Sequence, residues 1–152
     1  MAFVTANAGV KVQIKSQSND FWDAITNNQF LLDAIPDLYE SIIFPKPSNL
    51  QERKITYGSS SQNIKTSTER VVENSDEKFI YTVVAGDILT KYEVSDFRAT
   101  ISYPADKWVK WTWTYKYLKD GKRKALDLDV EIADIVLKSL SKLDTFIQKK
   151  QH

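Results

Sequence analysis

Four tyrosines and one glutamate are the side chains of this chain best suited to chemistry: Tyr57, Tyr81, Tyr115, Tyr117 and Glu93. A tyrosine hydroxyl can give a proton or a hydrogen bond to a ligand carbonyl, or can serve structure alone. Glu93 has the strand parity of Ser95 and Phe97. Set against aromatic rings, its carboxyl would have a raised pKa and could move protons; at a strand end facing water it would do neither. Tyr81, Glu93 and Tyr115 are the catalytic candidates.

Other chemistry is thinly supplied. The single histidine is His152, the last residue and expected to fray. That removes a Ser-His-Asp arrangement and histidine-centred metal sites. With no cysteine, disulfides and thiol chemistry are excluded. Lys54, Lys65, Lys110 and Lys116 fall on outer strand faces by parity, away from Schiff-base work. Asp127, Asp129, Glu131 and Asp134 are scattered by helical spacing over more than one face. They read as a solvated helix start that complements the helix dipole, not as a metal site. Ser59-Ser60-Ser61 could accept phosphate, but a turn is the simpler account. No cofactor motif occurs, and no cofactor is expected.

The elements that must position these groups are legible. In Lys107–Leu118, Val109, Trp111, Trp113, Tyr115 and Tyr117 alternate with Trp108, Lys110, Thr112, Thr114 and Lys116. Strand side chains alternate between faces, so one face is almost wholly aromatic. Such a face either fills a core or lines a ligand cavity; rings with polar tips suit the second use. After Asp120-Gly121, a helix is predicted from about Lys124 to Lys150. Leu128, Ile132, Ile135, Val136, Ser139, Leu143, Phe146 and Ile147 form its apolar stripe. At ~1.5 Å per residue it is about 40 Å long, enough to cross a curved sheet.

Upstream, Gly9–Lys15 alternates as a strand. Phe21, Trp22 and Ile25 follow at helical spacing, and Gln29–Ile35 reads as a second short helix stopped by Pro36. Leu38–Phe44, Glu52–Tyr57, Ile64–Glu73, Lys78–Ala85 and Tyr92–Tyr103 read as strands of an antiparallel meander, with turns at Asn74-Ser75-Asp76 and Pro104-Ala105-Asp106. The 152 residues make one domain, 1–152, with 42% hydrophobic and 27% charged residues. A net charge of +1 argues against a nucleic-acid partner. No signal-peptide pattern and no apolar run of membrane-spanning length is present, so the expected compartment is the cytoplasm, without a membrane partner.

The order strand, two short helices, six strands, long helix resembles the Bet v 1-type proteins, of the pathogenesis-related class 10 and major latex protein families of plants. Val84-Ala85-Gly86-Asp87-Ile88-Leu89-Thr90-Lys91-Tyr92, the strand Val109–Tyr115 and the C-terminal helix carry the resemblance. The Gly-Asp-Ile-Leu run with its Lys-Tyr is closer to the latex-protein branch. One departure stands out. Pro45-Lys46-Pro47-Ser48-Asn49-Leu50-Gln51 holds the place of the allergens' glycine-rich loop, without a glycine, so a phosphate-binding backbone nest is not expected.

The resemblance implies an α+β helix-grip fold: a seven-stranded antiparallel sheet around the C-terminal helix, with two short helices after strand one, enclosing a hydrophobic cavity. It turns Ile55, Tyr57, Ile64, Thr66, Phe79, Tyr81, Val83, Ser95, Phe97, Ala99, Ile101, Trp111, Trp113, Tyr115 and Tyr117 inward; Glu93, by its parity with Ser95 and Phe97, would then point into the cavity mouth. Ligand contacts are expected from Phe21, Trp22, Ile55, Tyr57, Phe79, Tyr81, Val83, Phe97, Trp111, Trp113, Tyr115, Ser139 and Leu143. The implied function is binding of a small hydrophobic metabolite by a monomer or weak dimer. The alternative is a cofactor-free cyclase or isomerase of a reactive intermediate, such as an iridoid-like monoterpenoid. A hormone-receptor relative ranks last, with Asp87–Lys91 as its candidate gating loop.

Overall fold

The computed structural model describes residues 2–46, 48 and 51–150. Pro47, Asn49 and Leu50 of the glycine-free loop, and His152, lie outside the described residues. The chain runs β1 (Phe3–Gln13), α1 (Ser18–Ile25), α2 (Asn28–Ala34), β2 (Tyr39–Ile43), β3 (Glu52–Tyr57), β4 (Thr66–Asn74), β5 (Lys78–Gly86), α3 (Asp87–Tyr92), β6 (Val94–Ala105), β7 (Trp108–Leu118), and α4 (Lys122–Lys150) after a 3-10 turn at Lys119–Gly121. The strands form one antiparallel sheet in the order β1-β7-β6-β5-β4-β3-β2. β1 returns beside β7 over its whole length, from Phe3 opposite Leu118 to Gln13 opposite Trp108.

The long helix lies against the concave face because its stripe is apolar. Leu128, Ile132, Ile135, Val136, Ser139, Leu143 and Ile147 are all buried, joined by Leu140. Its far end is tied to the β1–α1 junction, where Asp144 accepts from the backbone N–H groups of Lys15 and Ser16 and from the Ser16 hydroxyl. α2 begins with a side-chain cap, Asn27 accepting from the N–H of Phe30 at 3.1 Å.

Three local features depart from simple alternation. Asp87–Tyr92 is a helix, although Tyr92 reads as the start of a strand. Gly86, at φ 117°, enters it in a conformation glycine alone adopts freely. In β6 the register slips between Ser95 and Arg98, with Asp96 left-handed at φ 53°. This bulge inverts parity: Val94 faces the core and Ser95 faces water. In β4, Ser67 and Glu69 point inward instead of Thr66, because Ile64 is buried before the strand begins.

Candidate functional site

β3 alternates Arg53, Ile55 and Tyr57 into the interior, all buried. Arg53 stands opposite Glu69 of β4. Its Nε and Nη2 both donate to Glu69 Oε1, at 3.1 and 3.0 Å. Its Nη1 donates to Asn28 Oδ1 at 2.6 Å, and the guanidinium sits 5.3 Å from the centre of the Phe79 ring. Burial pushes the Glu69 carboxyl above its ordinary range, against the opposing pull of Arg53. Burial alone would lower the Arg53 pKa, but Glu69 holds it above its ordinary value.

Three tyrosines stand around this pair. Ser139 Oγ donates to the Ile135 carbonyl at 2.8 Å, so Tyr39 is the donor in its own 2.8 Å bond to Ser139. Burial pushes the Tyr39 hydroxyl up to about 12. Tyr57 and Tyr81 are pushed well above their ordinary value, first by burial and then by the charge of Glu69. All three remain neutral donors at physiological pH. The Trp111 indole N–H leans toward the Tyr81 hydroxyl, slightly opposing that rise. It is nevertheless buried without a well-formed hydrogen bond.

These groups make the polar wall of an interior cavity. Ile88, Phe97, Ile101, Ile132, Ile135 and Val136 are among its apolar lining. The space amounts to about 30 Å³, room for roughly two water molecules. Arg53 and Phe79 also line an outer cleft of about 420 Å³ together with Thr26, Asn28, Phe44 and Val71. They therefore form the partition between cleft and cavity.

Of the expected ligand contacts, Ile55, Tyr57, Phe79, Tyr81, Phe97 and Trp111 line the cavity. Phe21, Trp22, Val83, Trp113, Tyr115, Ser139 and Leu143 are buried but stand outside its lining. Trp22 donates to the Ser75 carbonyl at 3.1 Å. Trp113 and Tyr115 both donate to Asp129 Oδ1, at 3.0 and 2.9 Å, and the Tyr115 hydroxyl also meets the Ala125 carbonyl. Tyr115 is thus a tether for α4. Glu93 does not face the cavity mouth. It caps α3 at φ 56°, and its side chain is 64% exposed, 3.1 Å from Lys124 Nζ. The parity that pointed it inward is cancelled by the bulge in β6.

Asp129 and Glu131 are likewise not a solvated helix start. Glu131 accepts from the backbone N–H groups of Asn63 and Ile64 and from the Tyr92 hydroxyl. Among the described residues, no group of three or more His, Cys, Asp or Glu is placed to hold a metal ion, and no helix is long and apolar enough to cross a membrane.

No family model matches the chain. It is 28% identical over 148 residues to MLP-like protein 423 of Arabidopsis thaliana, covering 93% of each. Norcoclaurine synthase from Thalictrum flavum, solved as a point mutant with a transition-state analogue, superposes with a TM-score of 0.76 at 12% identity, over 100% of this chain and 99% of that one. Major latex-like protein 151 from Panax ginseng superposes with a TM-score of 0.69 at 14% identity, over 93% and 97%. The fold is Bet v 1-like. The same Bet v 1-like architecture extends to the Zhui aromatase/cyclase of a Streptomyces species, with a TM-score of 0.69 at 10% identity over 98% and 97%.

Sequence reasoning missed Arg53, Glu69 and Tyr39. Arg53 has the parity of Ile55 and Tyr57, and that signal was available. A lone charge in a strand ordinarily faces water; only the cross-strand pairing with Glu69 makes its burial tolerable.

Proposed function

We propose that the chain binds a small hydrophobic metabolite, of terpenoid, flavonoid, sterol or alkaloid type, between α4 and the sheet. The observation that carries this reading is the Trp111 N–H, buried on the cavity wall without a well-formed hydrogen bond. An unmet buried donor costs ~1–3 kcal/mol, and a ligand oxygen would meet it. A ligand needs far more room than the cavity offers as it stands, typically ~300–1,000 Å³. Binding therefore requires the lining to part, and the partition of Arg53 and Phe79 is where the cleft and cavity would join. The reading includes a monomer or weak dimer in the cytoplasm, with no nucleic-acid or membrane partner.

The test is incubation of the purified chain with candidate metabolites, followed by native mass spectrometry. One unchanged molecule held per chain supports the reading. Failure to retain any apolar compound, with tryptophan fluorescence unmoved, overturns it.

A second reading is a cofactor-independent cyclase or isomerase acting on a reactive intermediate, for example in iridoid-type ring closure. Neutral Tyr57 and Tyr81 hydroxyls beside a buried carboxylate favour it, since such groups can hold or return a proton in a dry site. The structural likeness to norcoclaurine synthase and to an aromatase/cyclase adds support. Of the three catalytic candidates, Tyr81 alone lines the cavity. A changed product ratio by chiral chromatography, at substoichiometric protein, would establish this reading over simple carriage.

A further inference from the structure

We propose that the polar wall of the cavity is a head-group site for an uncharged oxygen function, a ketone or hydroxyl, and that it rejects carboxylates. The inference rests on the interior-binding reading above and names its ligand class. An arginine in an apolar cavity would ordinarily call for an anion. Here three of the five Arg53 N–H donors are taken, by Nε and Nη2 to Glu69 and by Nη1 to Asn28, and its charge is paired with Glu69. The pair is close to neutral as a unit, and Glu69 lines the same small space. A ligand carboxylate would find no net positive charge there, because Glu69 repels it at the same close range at which Arg53, which also lines the space, attracts it. Its own desolvation would be uncompensated as well.

Apart from the Arg53 N–H groups, whose charge Glu69 balances, the donors on this wall are uncharged. Trp111 Nε1 makes no well-formed hydrogen bond in a residue only 6% exposed; it leans toward the Tyr81 hydroxyl, with Tyr57 on the same wall. An indole N–H donates and cannot accept. It therefore selects for a ligand oxygen with a lone pair. Sites whose buried donors would be left unmet discriminate most strongly against analogues that lack the matching atom.

The experiment uses naphthyl methyl ketone, naphthoate and ethylnaphthalene, near-isosteric ligands with one shared ring system, titrated calorimetrically into the full chain. The ketone is expected to bind about tenfold more tightly than the hydrocarbon, the difference one hydrogen bond makes, and naphthoate more weakly than either. Trp111→Phe is expected to erase the ketone's tenfold advantage over the hydrocarbon. Glu69→Gln, which leaves Arg53 unbalanced, is expected to admit naphthoate. Equal binding of ketone and hydrocarbon overturns this inference and leaves interior binding standing. Preference for naphthoate by the unaltered chain also overturns it. Failure of all three to bind removes the interior-binding reading, and the inference falls with it.

Discussion

Glu69 accepts two hydrogen bonds from Arg53 through one oxygen, across neighbouring strands, with the two side chains 4% and 9% exposed. Removing one partner of a buried pair leaves the other charged and unsolvated, at a cost of ~3–5 kcal/mol; replacing both by apolar groups costs much less. Arg53→Met or Glu69→Leu alone should lower the melting temperature steeply. The double variant should recover most of the loss in thermal denaturation. Equal loss in single and double variants would show that the pair is not an isolated electrostatic unit.

Tyr81 and Tyr115 separate binding from architecture. Tyr115 holds Asp129 and the Ala125 carbonyl, outside the cavity lining. Tyr115→Phe should cost about 1 kcal/mol of stability and leave ligand affinity or turnover unchanged. Tyr81→Phe should change affinity or turnover several-fold with a smaller stability loss. Calorimetric unfolding alongside ligand titration reads both, and the opposite assignment would move the working site to Asp129.

Glu93 is expected to be dispensable. Its contact with Lys124 is solvent-exposed on both sides, and such pairs contribute ~0–1 kcal/mol. Glu93→Gln should preserve melting temperature, ligand affinity and any product ratio. A selective loss of turnover in that variant would mean that the α3 end closes over the substrate.

The parts of the fold that were legible have long, regular patterns. The apolar stripe of α4 and the aromatic alternation of β7 recur in the structure, except that Phe146 and Tyr117 are only half-buried and Leu140 joins the stripe, because a continuous buried face imposes its own period. Failures cluster where a single extra residue changes parity. The bulge at Asp96 displaced Glu93 and Ser95, and the late start of β4 exchanged Thr66 for Ser67 and Glu69. Arg53 was illegible for another reason. Its burial depends on a partner in the next strand, and local pattern carries no information about that partner's register.

The buried tyrosines should set an alkaline limit to stability. Tyr39 is raised to about 12, and Tyr57 and Tyr81 are raised well above their ordinary value, chiefly by burial. A folded-state pKa above the unfolded value contributes stability that is complete below about pH 10 and is lost as pH rises through the folded value. Circular dichroism and tyrosinate absorbance should therefore change together above about pH 10 for these three residues. Ionisation of Tyr57 or Tyr81 at an ordinary pKa in a still-folded chain would contradict their burial.

Glu131 should set the corresponding acid dependence. Burial acts to raise its pKa, but the Tyr92 hydroxyl and the Asn63 and Ile64 N–H groups together bring it below its ordinary value of 4.5. A depressed carboxyl contributes stability that is present above its unfolded value and is lost as pH falls through the folded one. Glu131 joins α4 to Tyr92 of α3 and to the segment before β4, so its protonation loosens one end of the grip on the helix. Glu131→Gln should cost ~1–3 kcal/mol at neutral pH. The gap in melting temperature between variant and parent should narrow as pH falls below about 4.5, because protonation removes from the parent what substitution has already removed from the variant. A gap constant down to pH 3 would show that Glu131 acts by shape and packing, with its charge contributing nothing.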